Sequence, residues 1–227
     1  MRPLLAVDSA GATCGVAVMR SPGQVSACVR EARHDQARIL VPMVADLLAQ
    51  QGLSMADIGR VAVTVGPGSF TGLRVGIALA RGLALPFGCP VLGICSFAAW
   101  RAALPDVPSL VVVLDSRRDE LFVQINHQDE PFLSAPEELV LRLQGTAHRV
   151  AGDASERLTG LVDERLCPAP SEPIVVAAAR LAWDMADPED AAAKPLPVYM
   201  RPPDISRPRN VVNNGGNEPL DLCGQFA

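Results

Sequence analysis

Two apolar runs in this 227-residue chain end in an aspartate, "LLAVD" at Asp8 and "LVVVLD" at Asp115, and each leads straight into a polar turn. Carboxylates at strand ends are where ATP-using enzymes hold magnesium and activate a water or hydroxyl. One chemistry to weigh is therefore an ATP-dependent phosphotransfer, with Asp8 and Asp115 binding nucleotide across a cleft. The turns favour a plainer role. "SAGAT" after Asp8 offers few phosphate ligands, and "SRRD" after Asp115 carries Arg117 and Arg118. No adenosine-binding glycine pair follows in the second half; "AGDAS" at 151–155 is the nearest approach to one. Both aspartates also suit the capping of a hairpin turn.

The other reactive residue types are dispersed. The three histidines, His34, His127 and His148, are too far apart for an H-x-x-x-H metal pair, and the residue four places after His34 is Arg38. No metal site is expected. Ser–His–Asp and Cys–His arrangements have no local signature. Six cysteines lack C-x-x-C spacing, which argues against a zinc ribbon or disulfide framework and for a reducing cytosol.

"TVGPGSFTGLRVGIALARG" (64–82) is a glycine-rich turn feeding an apolar run. A phosphate-binding Walker loop needs G-x-x-x-x-G-K-[ST], yet position 73 is leucine and the glycine spacing is wrong. The dinucleotide fingerprint fails as well, because its third glycine falls one place late. A general anion site at a helix start remains open. Ser69 or Thr71 can cap the helix, and Gly72, Gly76, Ala80 and Ala84 then fall four apart on one face. Such a stripe admits a close neighbour, either the chain's own sheet and preceding helix or another molecule.

These residues need elements to hold them. Segments 4–8, 13–19 and 24–30 are β-leaning runs separated by Gly and Pro turns, which predicts an antiparallel meander. Ile39, Leu40, Met43, Val44, Leu47 and Leu48 recur at helical spacing over 36–50, with Pro42 near the start. A strand at 60–65, the glycine-rich helix and a strand at 91–94 complete a ribonuclease-H-like order. A similar order recurs: strands at 110–115 and 120–126, a helix at 136–144, a strand at 148–151, then helices at 154–162 and 172–186. The reading is an α/β chain of two lobes, 1–103 and 104–205, with a flexible tail at 206–227.

A formal charge of −5 argues against an independent grip on nucleic acid. Lys194 is the only lysine beside nineteen arginines, a bias of composition. Arg117, Arg118, Arg201, Arg207 and Arg209 are the candidates for RNA contact. No run of about 18 uncharged apolar residues occurs, and "RPLLAVD" reads as a first strand and not as a signal peptide.

"GPGSFTGLRVG", together with "LAVDSAGATCGVAV", "HDQARILVPMVADLL", "LDSRRDELFV" and "PVYMR", resembles the TsaB (YeaZ) family, bacterial subunits required to make threonylcarbamoyladenosine in tRNA. The correspondence runs in order over residues 4–201. Ser9 and Asp119 depart from it, standing where the family usually has threonine and glycine. The resemblance implies an actin-like ATPase (ASKHA) fold of two duplicated ribonuclease-H-like lobes. It implies a non-catalytic, cytoplasmic scaffold that activates TsaD, with the ATPase TsaE joining the pair and tRNA met mainly through the complex. No tightly bound cofactor is implied, although ATP or ADP can sit at the subunit junction. The pairing surface for TsaD, or for a second copy in a homodimer, is implied at 34–50 and 66–86. On it fall His34, Arg38, Val41, Ala45, Gly66, Pro67, Gly68, Ser69, Phe70, Thr71, Gly72, Arg74, Gly76 and Ala80. On that reading the small-residue stripe faces the partner.

Overall fold

Leu4–Asp8 (β1) is apolar on both sides because it is the central strand of a sheet covered on both faces. The computed structural model describes residues 2–32, 35–104, 106–107, 109–185 and 195–200. β1 pairs antiparallel with Thr13–Ser21 (β2), which pairs with Gln24–Glu31 (β3), and parallel with Arg60–Gly66 (β4), itself parallel to Val91–Cys95 (β5). The resulting order is β3-β2-β1-β4-β5. Leu5 and Val7 point to one face, where Gln36–Gln50 (α1) and Phe70–Ala84 (α2) cover them. Leu4 and Ala6 point to the other.

On that second face Ala27, Ala17, Ala6 and Ala62 stand in register across four strands. They make a shallow floor that admits an alanine-rich helix at close range. Ile174–Asp184 (α5) fills it with Val175, Ala178, Ala179 and Ala182. A helix from the second half of the sequence thus packs on the first sheet, so the partition at 103/104 does not describe the lobes in space.

The second lobe repeats the first in smaller form. Leu110–Asp115 (β6) pairs antiparallel with Leu121–Gln124 (β7) and parallel with Arg149–Ala151 (β9), while Phe132–Ser134 (β8) extends the edge, giving β8-β7-β6-β9. In both sheets the founding strand pairs antiparallel with the next and parallel with the fourth, which is the duplicated ribonuclease-H-like, actin-like order. Pro136–Leu143 (α4) buries Leu139 and Leu143 against it. Ser96–Ala102 (α3) bridges the lobes, with Phe97 in the second core and Ala99 in the first.

Three details differ from expectation. Neither α3 nor β8 shows in the sequence pattern, each being too short to display a period. The helix expected at 154–162 is a 3₁₀ turn, Ser155–Leu158, ended by Thr159 in an extended conformation and Gly160 at φ 79°. The 206–227 tail and the end of the helix expected at 172–186 lie outside the described residues. Phe70–Phe87 is long and apolar enough by composition to cross a membrane, but its Leu73, Ile77, Ala80 and Ala84 are packed inward.

Candidate functional site

The glycine-rich turn is shaped to receive the turn after Asp8. The Ser69 N–H donates to the Ala10 carbonyl at 2.7 Å, and Ser9 Oγ donates to the Gly72 carbonyl at 2.8 Å. Ser69 Oγ accepts the Gly72 N–H at 3.3 Å and so caps α2, one of the two caps the sequence allowed. A Cβ on Gly72 would overlap the Ser9 carbonyl oxygen, and one on Gly76 would overlap Ser9 Oγ. Glycine is required there for backbone approach within the chain.

This corrects the expectation for the small-residue stripe. Gly72, Gly76, Ala80 and Ala84 are buried against the chain's own sheet, and Gly66 and Pro67 are buried as well. The reason is periodicity: a stripe of small residues signals a close neighbour without saying whose. Half-buried Gly68 and Ser69 serve the same internal contact.

The outward faces of α1 and α2 are a separate surface. Both helices lead from parallel strands to parallel strands, so they run side by side in one direction. Arg38, Val41 and Ala45 of α1 are exposed, with Arg38 paired to Asp35 at 3.0 Å. Phe70, Thr71 and Arg74 of α2 are exposed too. Large apolar side chains stand open there, Val41 at 54% and, beyond the end of α2, Leu85 at 82%. At the start of α2 the Arg74 guanidinium lies 3.7 Å from the Phe70 ring centroid and its Nε donates to Tyr199 Oη at 2.9 Å. Val198 N–H donates to the Val65 carbonyl, tying 195–200 to the edge of this face. Tyr199 lies within the "PVYMR" motif, but nothing in the sequence places it against α2. His34, Arg201, Arg207 and Arg209 lie outside the described residues.

Between the lobes lies a cleft. Asp8 lines it, buried, with Oδ1 accepting from Thr64 Oγ1 at 2.6 Å and from the Ala10 N–H at 3.1 Å. Asp115 does not stand opposite Asp8 on the cavity wall. Its Oδ1 accepts the Arg117 N–H at 2.9 Å, and Arg117 and Arg157 pair with its carboxylate. Each aspartate thus bonds the backbone two residues on, as a turn-capping residue does. The facing carboxylate is Asp153, whose Oδ1 accepts the Asp115 N–H at 2.8 Å. It comes from "AGDAS", where Gly152 at φ 140° permits a backbone approach to Val113 that a side chain would block.

Burial pushes the Asp8 carboxyl above its usual range, and the bonds from Thr64 and Ala10 offset only part of this. Desolvation by the cleft walls pushes Asp153 up to about 6, opposed by the Asp115 N–H and helped by the neighbouring Asp115 and Asp8 charges, although the residue as a whole stays exposed. A carboxyl raised in the folded state favours folding below its unfolded pKa, and that advantage is lost as pH rises through the folded value. Asp8→Asn keeps an Oδ1 acceptor for both bonds. It is expected to raise the melting temperature at about pH 7.5 and to lose that gain by about pH 4, read by calorimetry at both pH values. A lower melting temperature at neutral pH would show that the ionised form is the stabilising one.

The family model described as "TsaD: tRNA N6-adenosine threonylcarbamoyltransferase" matches residues 30–147, just over half of the chain. The chain is 34% identical over 132 residues to the Escherichia coli (strain K12) "tRNA threonylcarbamoyladenosine biosynthesis protein TsaB", an alignment that takes in 56% of each protein. It spans about half the length of the curated relatives it matches first. The solved structure of YeaZ from Pseudomonas aeruginosa superposes with a TM-score of 0.62 at 25% identity, over 88% of this chain and 100% of that one. Ethanolamine utilization protein EutJ from Carboxydothermus hydrogenoformans shares the fold, with a TM-score of 0.50 at 12% identity over 79% and 89% of the two chains. Set beside the duplicated sheets and the glycine-rich turn locked onto the Asp8 loop, these matches make the chain a member of the TsaD-type family of domains, on its TsaB (YeaZ) branch.

Proposed function

We propose that this chain is a non-catalytic subunit that pairs through the outward face of α1 and α2 with TsaD, for threonylcarbamoyl transfer to the tRNA adenosine beside the anticodon. TsaE joins the assembled pair, tRNA is met through the complex, and the setting is cytoplasmic. The observation that carries the reading is the set of apolar side chains standing open on that face, Val41, Phe70, Leu85 and Phe87. Exposed apolar patches of this kind mark association surfaces. In the absence of TsaD the same face serves a homodimer.

A second reading, an ATP-dependent phosphotransferase, draws on Asp8 at the wall of the interlobe cleft. Among the described residues the charged side chains on that wall, Asp8, Asp153 and Glu172, are all acidic and repel a triphosphate, which weighs for the scaffold. Any ATP or ADP is assigned to the subunit junction.

Co-elution with the same organism's TsaD on size exclusion, together with ATP turnover by the isolated chain in magnesium, tests both readings. The expected result is one heteromeric peak and no turnover. Turnover that disappears on Asp8→Ala overturns the proposal in favour of the enzyme, and separate elution removes TsaD as the partner.

A further inference from the structure

The interlobe cleft encloses a cavity of about 320 Å³, at the lower end of the range for small-molecule pockets. Glu172 on its wall is matched by Arg180 and Asp153 is partly offset by Arg117, neither arginine lining the cavity itself, which leaves Asp8 as the carboxylate among the described lining residues without an arginine against it. Both bonds to Asp8 end on Oδ1, so its other oxygen is the one placed to meet a ligand. Ser96, set in the same wall, is 4% exposed and its Oγ has no hydrogen-bond partner. A buried hydroxyl without a partner is a cost that a bound polar group removes. Trp100 adds an aromatic surface, and Val175 an apolar one.

We propose that this cavity binds a small organic dication, a diamine or short polyamine. Its ammonium groups meet Asp8 and Asp153, one N–H reaches Ser96 Oγ, and the methylene stem lies along Val175 with the charge near Trp100. Among the described residues no three His, Cys, Asp or Glu side chains gather closely enough to hold a metal ion, so a point charge fits less well. Among the described residues, an anion meets carboxylates and no lining cation. The inference concerns the cleft alone and holds whether or not α1 and α2 bind TsaD.

Isothermal titration of the full chain with 1,4-diaminobutane tests it, with 1,4-butanediol, magnesium chloride and magnesium-ATP as comparisons. The expected result is saturable one-to-one binding of the diamine. Asp153→Asn should weaken it roughly tenfold and Ser96→Ala roughly threefold, with unchanged circular dichroism, and the diol should not saturate. Asp153 is solvent-facing, so its variant is expected to fold even if Ser96→Ala is not. No saturable diamine binding, equal binding of the diol, diamine binding indifferent to Asp153→Asn, or saturation by magnesium or ATP that excludes the diamine would each overturn the proposal.

Discussion

Gly72→Ala is expected to lower the melting temperature by about 10 °C, from an overpacking cost of about 3 kcal/mol at 2–4 °C per kcal/mol for a chain of this size. The new methyl group would overlap the Ser9 carbonyl oxygen, a backbone atom one residue beyond the central strand. Neither side can yield: Ser69 ties α2 to Ala10, and Ser9 ties the loop to Gly72. Gly76→Leu meets Ser9 Oγ in the same manner, and pushing that hydroxyl aside breaks its bond to Gly72. Gly82, on the exposed side of the same helix, has open space where a side chain would begin, with no neighbouring atom within 4 Å. Gly82→Ala should therefore raise the melting temperature by about 2 °C, the ordinary helical gain of alanine over glycine. Differential scanning calorimetry of the three variants reads the contrast. A Gly72→Ala protein that melts with wild type would remove the assignment of this face to the internal contact.

The direction of that face is what the sequence left open. Spacing of four among Gly72, Gly76, Ala80 and Ala84 carries the same signal whether the neighbour is β1 and its loop or a second molecule. Resolving it needs the position of Ser9, which is 63 residues away in sequence from Gly72. Strand order was more readable: β1 begins and ends where its apolar run does, and Leu40, Met43, Val44, Leu47 and Leu48 are buried in α1 as their period requires. Where pairing is non-local the sequence pattern carries less. The docking of α5 on the first sheet rests on a row of alanines from four strands, which becomes a row only once the register is set. In the cleft, Asp8 was visible as a strand-ending carboxylate, whereas Asp153 follows a three-residue strand and lacked any such marker. Its signal was the adjoining Gly152. Ser96 and Trp100 gave none, since α3 is too short to show a period.

The face that remains outward is where substitution should act on association and not on folding. Val41→Glu combined with Phe70→Glu is expected to weaken TsaD binding by on the order of a hundredfold or more, from about 3 kcal/mol for leaving an unpaired charge in a buried contact. Both side chains are already in water in the free chain, Val41 at 54% and Phe70 at 43% exposure, so melting should change little. Phe70 also carries the Arg74 guanidinium on its ring and lies 5.1 Å from the Tyr199 ring, so its loss loosens the 195–200 segment beside α2. Val41→Glu alone leaves that stack intact, and it isolates the contribution of α1. Sedimentation velocity of each variant alone and with TsaD gives the answer: the double variant should sediment as a folded monomer in both cases, with the α1 variant between it and wild type. A double variant that still forms the heteromer with wild-type affinity would place the pairing surface elsewhere on the chain.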